Sequence, residues 1–218
     1  MKRAVISVGI GKNYPKLLHR QAETMAKYEG EIDHITWFNE LPIGCPPHEQ
    51  VPYAFKSFAF LYTVLMNYDS VIWMDSAVWV QGDLFKMFEI VEREGHLIFK
   101  NGWNQANWST DQQLQKYGLT RTEAESIPHP LACVIGAKIS DIEVDNWIFE
   151  YIHGYPLFVG EWSNASGQVT DDMRCLGSRH DQSVLGFIAH KHKLSLTSPN
   201  GLISYDEYDK QSILLSKG

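Results

Sequence analysis

Two short segments hold the residues best suited to chemistry. In Trp73-Met74-Asp75-Ser76-Ala77, one carboxylate stands where the apolar run Val71–Met74 ends. In Ser178-Arg179-His180-Asp181-Gln182-Ser183, an imidazole, a second carboxylate and an amide precede another apolar stretch. Carboxylates suit hard cations and the capture of hydroxyl protons, and an imidazole beside one suits a metal or a phosphate. Each segment also has a structural reading. An aspartate at a strand end commonly serves the backbone, and Asp181 reads as the N-cap of the next helix, whose free amides stabilise a carboxylate. Lys12 and Lys56 are cations close in sequence to the first segment. Glu161, Asp171 and Asp172 are further carboxylates in the polar stretch 160–180, where Trp162 also lies. Trp103 and Trp108, in Asn101-Gly102-Trp103-Asn104-Gln105-Ala106-Asn107-Trp108, are indoles in polar surroundings.

The elements that must position these residues follow from hydrophobic periodicity. Residues 4–10 read as a buried strand ending near Gly9 and Gly11. Asn13 and Pro15 then start a helix with Leu18, Ala22, Met25 and Ala26 on its apolar face. A second strand covers 32–38. A helix over about 53–67 places Phe58, Leu61, Tyr62 and Leu65 on one face, and a strand over 71–74 opens onto Asp75. Leu84, Phe88 and Val91 pattern a third helix that Gly95 closes, and 96–101 is a further strand. Strands alternating with helices predict a parallel sheet covered on both faces, with ligands at the carboxyl strand ends, after Ile10 and Met74. In the second half, Ser109 with Gln112 and Thr120 with Glu123 read as capping boxes. A strand over 131–139, a helix near Trp147–Ile152, a helix over 181–192 and a last strand over 194–198 complete the pattern. No linker divides the chain, which predicts one α/β domain.

The stretch from Phe58 to Phe85, with its helix, Tyr68-Asp69 turn, buried strand and terminal aspartate, resembles the D-x-D region of GT-A glycosyltransferases. The His180-Asp181-Gln182 segment is similar to the H-D-Q signature late in several families of that group. The likeness spans roughly residues 1–190 and is nearest to the glycosyltransferase domains of large chlorella viruses that build capsid glycan. It implies a single GT-A domain, with a Rossmann-like nucleotide-binding half (about 1–101), an acceptor-binding half (about 102–218) and a mixed central sheet flanked by helices. It also implies a UDP-linked hexose or deoxyhexose as donor, a glycan as acceptor, and Mn²⁺ or Mg²⁺ against the charge of the departing diphosphate. Residue by residue, Val8, Gly9, Ile10, Lys12, Lys56, Met74, Asp75 and Ser76 would contact the nucleotide. Asp75 with His180, or Asp181, would hold the metal. Asp181 and Gln182 would surround the transferred sugar, Glu161 is a candidate for the acceptor's proton, and Trp103, Trp108 and Trp162 would form a sugar platform. Ala77 stands where the second aspartate of the motif belongs, which weakens the implied metal site.

Composition narrows the classes. In 218 residues, 19 basic and 26 acidic side chains give a net charge of −7 with no long basic run, which argues against a nucleic-acid groove. No apolar run approaches a membrane span. Cys45, Cys133 and Cys175 are too few and too scattered for a disulfide framework, which predicts reduced thiols and a cytoplasmic chain, host cytoplasm if viral. Two other readings share the pattern. A sugar-1-phosphate nucleotidylyltransferase would need a richer Gly/Arg signature than Gly9-Ile10-Gly11-Lys12. A non-catalytic sugar- or nucleotide-binding module is consistent with Ala77.

Overall fold

The computed structural model describes residues 1–140, 146–206 and 209–217. Strands β1 (Arg3–Gly9), β2 (Asp33–Phe38) and β3 (Ser70–Met74) alternate with helices α1 (Tyr14–Met25) and α2 (Ala54–Leu65). They pair in parallel, with β1 central. Next come β4 (Val78–Val80), α3 (Phe85–Glu94) and β5 (His96–Asn104). Three short helices follow, α4 (Gln105–Trp108), α5 (Asp111–Lys116) and α6 (Arg121–Ala124), and then the long strand β6 (Pro128–Lys138). The chain continues through α7 (Trp147–His153), α8 (Asp181–Lys191), β7 (Ile203–Ser204) and β8 (Leu214–Ser216).

The main sheet has the order β2-β1-β3-β6-β5 and is mixed. The β-α alternation predicts β5 as the next parallel neighbour of β3. Instead β6 lies between them, antiparallel to both. The cause is local: β5 ends at Asn104 opposite Pro128, the first residue of β6. The intervening helices therefore hang from one sheet edge, and the chain re-enters in the reverse direction. The segment 194–198 is not a strand of this sheet; Thr197 makes one isolated bridge to Phe99. The last strands are β7 and β8, which join β4 in a separate three-stranded sheet.

Period-2 alternation splits the core across the main sheet. Ala4, Ile6, Val8, Val71 and Trp73 face α2, α7 and α8, whereas Val5, Ile72 and Met74 face α1 and α3. Two helix faces differ from the sequence expectation. On α1, Gln21 is buried while Ala22 and Ala26 are exposed. Gln21 enters the core because every polar group is used: its amide donates to the carbonyls of Asp75 and Val78, and its oxygen accepts from Ser7. On α2, Phe55, Lys56, Ala59, Phe60 and Thr63 are buried, and Leu65 is 70% exposed. Of the capping boxes, Thr120 with Glu123 forms as expected, whereas the other uses Thr110 and Gln113, one residue later; Asn104 and Asn107 form a third.

Helix α8 is buried on nearly all sides, which places it inside the domain rather than on it. It packs closely on β6 and α4 at Gly186, where a Cβ would run into the Gln105 amide and approach Pro130 Cδ to 2.8 Å. Alanine is the better helix former by about 1 kcal/mol, yet steric conflict outweighs that gain here. Gly186→Ala is expected to lower stability by about 1–3 kcal/mol, measured as a fall in urea midpoint. An unchanged or raised midpoint would show that α8 is not packed this tightly.

Candidate active site

Lys56 is the centre of the site. Helix α2 directs its side chain inward, where it is 3% exposed. Its ammonium meets three acceptors from three elements: the Ala132 carbonyl on β6 at 2.7 Å, Asp181 Oδ2 at the start of α8 at 3.0 Å, and Asp75 Oδ1 beyond β3 at 3.2 Å. Three donors meet three acceptors, so the head group is saturated. The rings of Tyr53 and Trp73 lie 5.3 and 5.4 Å from the ammonium and exclude water from it.

The two carboxylates are not equivalent. Asp75 is held at its backbone, where its amide donates to Cys133 and its carbonyl accepts from Gln21. Its Oδ1 also accepts from the Trp73 indole at 2.7 Å. Its Oδ2 has no partner among the described residues, and the side chain is 35% exposed, so Asp75 presents one free oxygen. Asp181 is only 3% exposed and turned inward, with the Tyr151 hydroxyl 3.5 Å away. It is not an N-cap: His180 takes that position without a side-chain cap, and Asp181 is the first helical residue. Its carboxylate serves as counter-ion to Lys56.

One ammonium faces two carboxylates, and the electrostatics reflect that imbalance. Burial alone would pull Lys56 down; the charges of Asp181 and Asp75 outweigh it and hold the lysine above its ordinary value. Burial pushes Asp181 up to about 6 against the pull of Lys56, with Asp75 adding a like charge. Both helices that deliver this pair begin on a non-glycine residue at positive φ, Tyr53 (62°) before α2 and His180 (49°) before α8. Such conformations cost about 1–3 kcal/mol each and persist only where neighbours over-determine them.

Gln182 is the outward-facing neighbour of Asp181. Its amide nitrogen is fixed on the Pro130 carbonyl at 2.5 Å and on His129 Nδ1 at 3.3 Å, which leaves its oxygen free to accept. Asn101 also donates to His129 Nδ1, at 3.0 Å. Burial, with the charge of Arg179, lowers His129 to about 3, so the ring is neutral. His129 is thus a bracket for Gln182 rather than a ligand.

A wall of rings extends outward from Lys56. Tyr53 and Trp162 both lie against His180, at 5.7 and 5.2 Å. Arg179 lies over Trp108 and Trp162, and Trp103 packs edge-on to Trp108. His180 Nε2 donates to the Gly160 carbonyl at 2.8 Å, and its buried Nδ1 has no partner. The loop behind this wall is organised by Asn164, whose side-chain amide makes four hydrogen bonds to loop backbone.

The other expected positions vary. Val8, Gly9 and Ile10 reach the sheet edge beside β3, where the Gly9 carbonyl accepts from Asn39, and Lys12 is exposed on the turn beyond. Ser76 is buried. Met74 is fully buried with its carbonyl bonded to Ser7, so it supports the site from behind instead of lining it. Glu161 is exposed on the rim beside Trp162. Asp172 is paired with Arg174 at 2.6 Å and is not free to act as a base. Sequence reasoning missed Trp73 and Tyr151 as partners of the carboxylates, and Asn101 behind His129; no local motif marks them. A cavity of about 880 Å³ lies at the opposite end of α8, lined by Tyr117, Glu150, His153 and Lys191. Its Glu150 is already paired with Lys191 and His192, which leaves the Lys56 cluster as the candidate site.

No family model matches the chain, and no curated protein does. Solved structures do. The crystal structure of a glycosyltransferase involved in the glycosylation of the major capsid of PBCV-1 superposes with a TM-score of 0.53 at 11% identity, covering 99% of this chain and 93% of that one. The galactosyltransferase LgtC, in complex with donor and acceptor sugar analogs, gives a TM-score of 0.42 at 13% identity, covering 85% and 70%. The fold, a mixed sheet flanked by helices, is that of the GT-A glycosyltransferases. Among the described residues no helix is long and apolar enough to cross a membrane.

The Lys56 cluster generates a paired expectation. Lys56→Met strands the buried carboxylate of Asp181 beside the half-buried one of Asp75 and is expected to cost about 3–5 kcal/mol, whereas Asp181→Asn leaves one ammonium facing one carboxylate and costs far less at pH 7. The folded state holds the Asp181 proton more tightly than the unfolded chain does. Its stabilising contribution is therefore full below about pH 4 and lost as pH rises through about 6. The buried neutral His129 gains stability over the same window, so the test is the difference: the wild-type urea midpoint minus that of Asp181→Asn should fall from pH 4 to 7, and a difference that does not change with pH would refute it.

Proposed function

We propose that this protein is a glycosyltransferase that moves a hexose or deoxyhexose from a UDP-linked donor to a glycan or a protein-linked glycan. The observation that carries the reading is Asp75, held at the carboxyl end of β3 with one oxygen bound by Trp73 and Lys56 and the other free. Ligands of open α/β sheets commonly sit at the carboxyl ends of the strands, which supports nucleotide binding at that end of β3. Asp75 would take the donor through its free Oδ2, while the backbone at Val8–Ile10 lines the nucleoside pocket. Gln182, its amide nitrogen already fixed, offers its oxygen to a hydroxyl of the transferred sugar. Glu161 on the rim is the free carboxylate for the acceptor's proton. Lys56 and Asp181 act as positioning residues that hold Asp75 and the start of α8 in register.

The donors present suit a cation that arrives with its diphosphate more than a resident one. Among the described residues no three metal-ligating side chains cluster. Asp75 Oδ2 and the unpartnered Nδ1 of His180 would hold Mn²⁺ or Mg²⁺, with substrate phosphate and water completing the shell. His180 has its other nitrogen committed to a carbonyl, as metal-ligating histidines commonly do. Such an ion supplies positive charge against the departing diphosphate.

UDP should bind to wild type and bind about tenfold more weakly, about 1.4 kcal/mol, to Asp75→Ala. Gln182→Ala should lower kcat by orders of magnitude with UDP affinity nearly unchanged. UDP release from UDP-sugars should rise with acceptor, stop on EDTA treatment and return with Mn²⁺. Binding without turnover would leave a non-catalytic module. No binding of UDP, or equal affinity in wild type and Asp75→Ala, would overturn the site.

A further inference from the structure

Arg179 has no role in the chemistry above, and its surroundings are unusual for this chain. Arg3, Arg93, Arg121 and Arg174 each meet a carboxylate, and Arg20 spends its head group on main-chain carbonyls. Arg179 meets no carboxylate among the described residues; burial lowers it, with Tyr53 acting in the opposite sense. It is nevertheless firmly placed. Its guanidinium carbon lies 3.6 Å from the centroid of Trp108 and 4.5 Å from that of Trp162. Nη1 donates to the carbonyls of Trp162 at 2.8 Å and Ser178 at 3.2 Å, and the backbone amide donates to Ser183 Oγ.

That leaves Nε and Nη2. Neither has a partner among the described residues, and neither is shut away from solvent as the unpaired Nε atoms of Arg20 and Arg121 are. This edge of a guanidinium presents parallel N–H groups that match the two oxygens of a carboxylate or phosphate. Beside it is Trp162, 51% exposed, and Trp103, 50% exposed, packs edge-on to Trp108; both offer apolar surface to a sugar ring. An indole surface next to a fixed, open guanidinium edge fits a ring bearing a negative substituent. The position favours the acceptor. Arg179 acts on His129 and His180 at the outer side of the cluster, whereas the charge environment of Asp181 is set by Lys56 and Asp75.

We propose that the acceptor is an acidic glycan, whose carboxylate or phosphate is read by the Nε–Nη2 edge of Arg179 while its ring rests on Trp162 or Trp103. This rests on the glycosyltransferase reading of the same site. The test uses the UDP-loaded protein and three probes: methyl β-glucuronide, glucose 6-phosphate and methyl β-glucoside, titrated calorimetrically or by saturation-transfer NMR. At least one acidic sugar should bind about tenfold more tightly than the neutral glucoside, and the better one identifies the anion. Arg179→Gln should erase the preference, and Arg179→Lys should keep only part of it, because an ammonium lacks the fork. UDP affinity should stay within about twofold in both variants. Equal binding of acidic and neutral sugars by wild type would overturn the proposal. So would an Arg179→Gln variant that loses UDP affinity and keeps the sugar preference, since the arginine would then hold the donor diphosphate. If Arg179→Gln unfolds, the wild-type selectivity and the lysine variant still decide. Acidic sugars bound through Arg179 by a protein that ignores UDP would leave the anion site standing and sink the transferase reading.

Discussion

A single buried ammonium between two carboxylates organises this structure. Removing Lys56 from water is expensive unless every donor is matched and its charge is answered. The matching groups come from β3, β6 and the start of α8. Those three elements are far apart in sequence, so the ion pair exists only once the mixed sheet has formed and α8 has entered the core. The same condition explains the positive-φ residues Tyr53 and His180, whose strain is carried by the helices that close on the pair. It also explains the double anchoring of Asp75: a carboxylate whose position fixes a buried cation must itself be fixed, and Trp73, Gln21 and Cys133 do that from three sides.

Much of the frame was legible in the sequence because it rests on local patterns. The first three strands, the helix closed by Gly95 and the Thr120–Glu123 box follow from spacing and end-cap chemistry. The sheet order was not legible in the β-α alternation, because nothing near residues 96–101 records that β6 will slip between β3 and β5. The buried face of α2 was misread for a related reason. Periodicity treats lysine as polar and turns it to solvent, yet Lys56 enters the core because two partners, 19 and 125 residues further along the chain, are there to meet it. Gln21 on α1 repeats the lesson with hydrogen bonds in place of charge.

The candidate site shows the same division. Asp75 and Gln182 could be picked out because motif-like surroundings advertise them, and both present free oxygens in the structure. The brackets behind them could not: Tyr151, Asn101 and His129 matter through distances of about 3 Å across the fold, which spacing along a chain does not encode. Asp181 was legible as important but not in its capacity. A helix-start aspartate suggests a cap facing solvent, whereas the residue is sealed behind Lys56.

The charge pattern then sets what the site can accept. Inside, one ammonium against two carboxylates leaves an excess negative charge at neutral pH, and the nearby His129 and His180 are held neutral by burial. A diphosphate approaching the free oxygen of Asp75 meets that excess and gains nothing from Lys56, whose three donors are already spent. On the proposed reading it would bring its own positive charge, which favours a cation carried in with the substrate over one bound beforehand. A carboxylate at position 77 would deepen the negative well, so on the proposed reading Ala77 would ease the entry of an anionic leaving group while weakening any grip on free metal. Arg179, which meets no carboxylate among the described residues, stands outside this well, and neither Asp75 nor Asp181 is among the groups that shift it. If the proposals hold, positive charge at the rim and negative charge within would sort an anionic acceptor from a cation-escorted donor by electrostatics, before any shape is read.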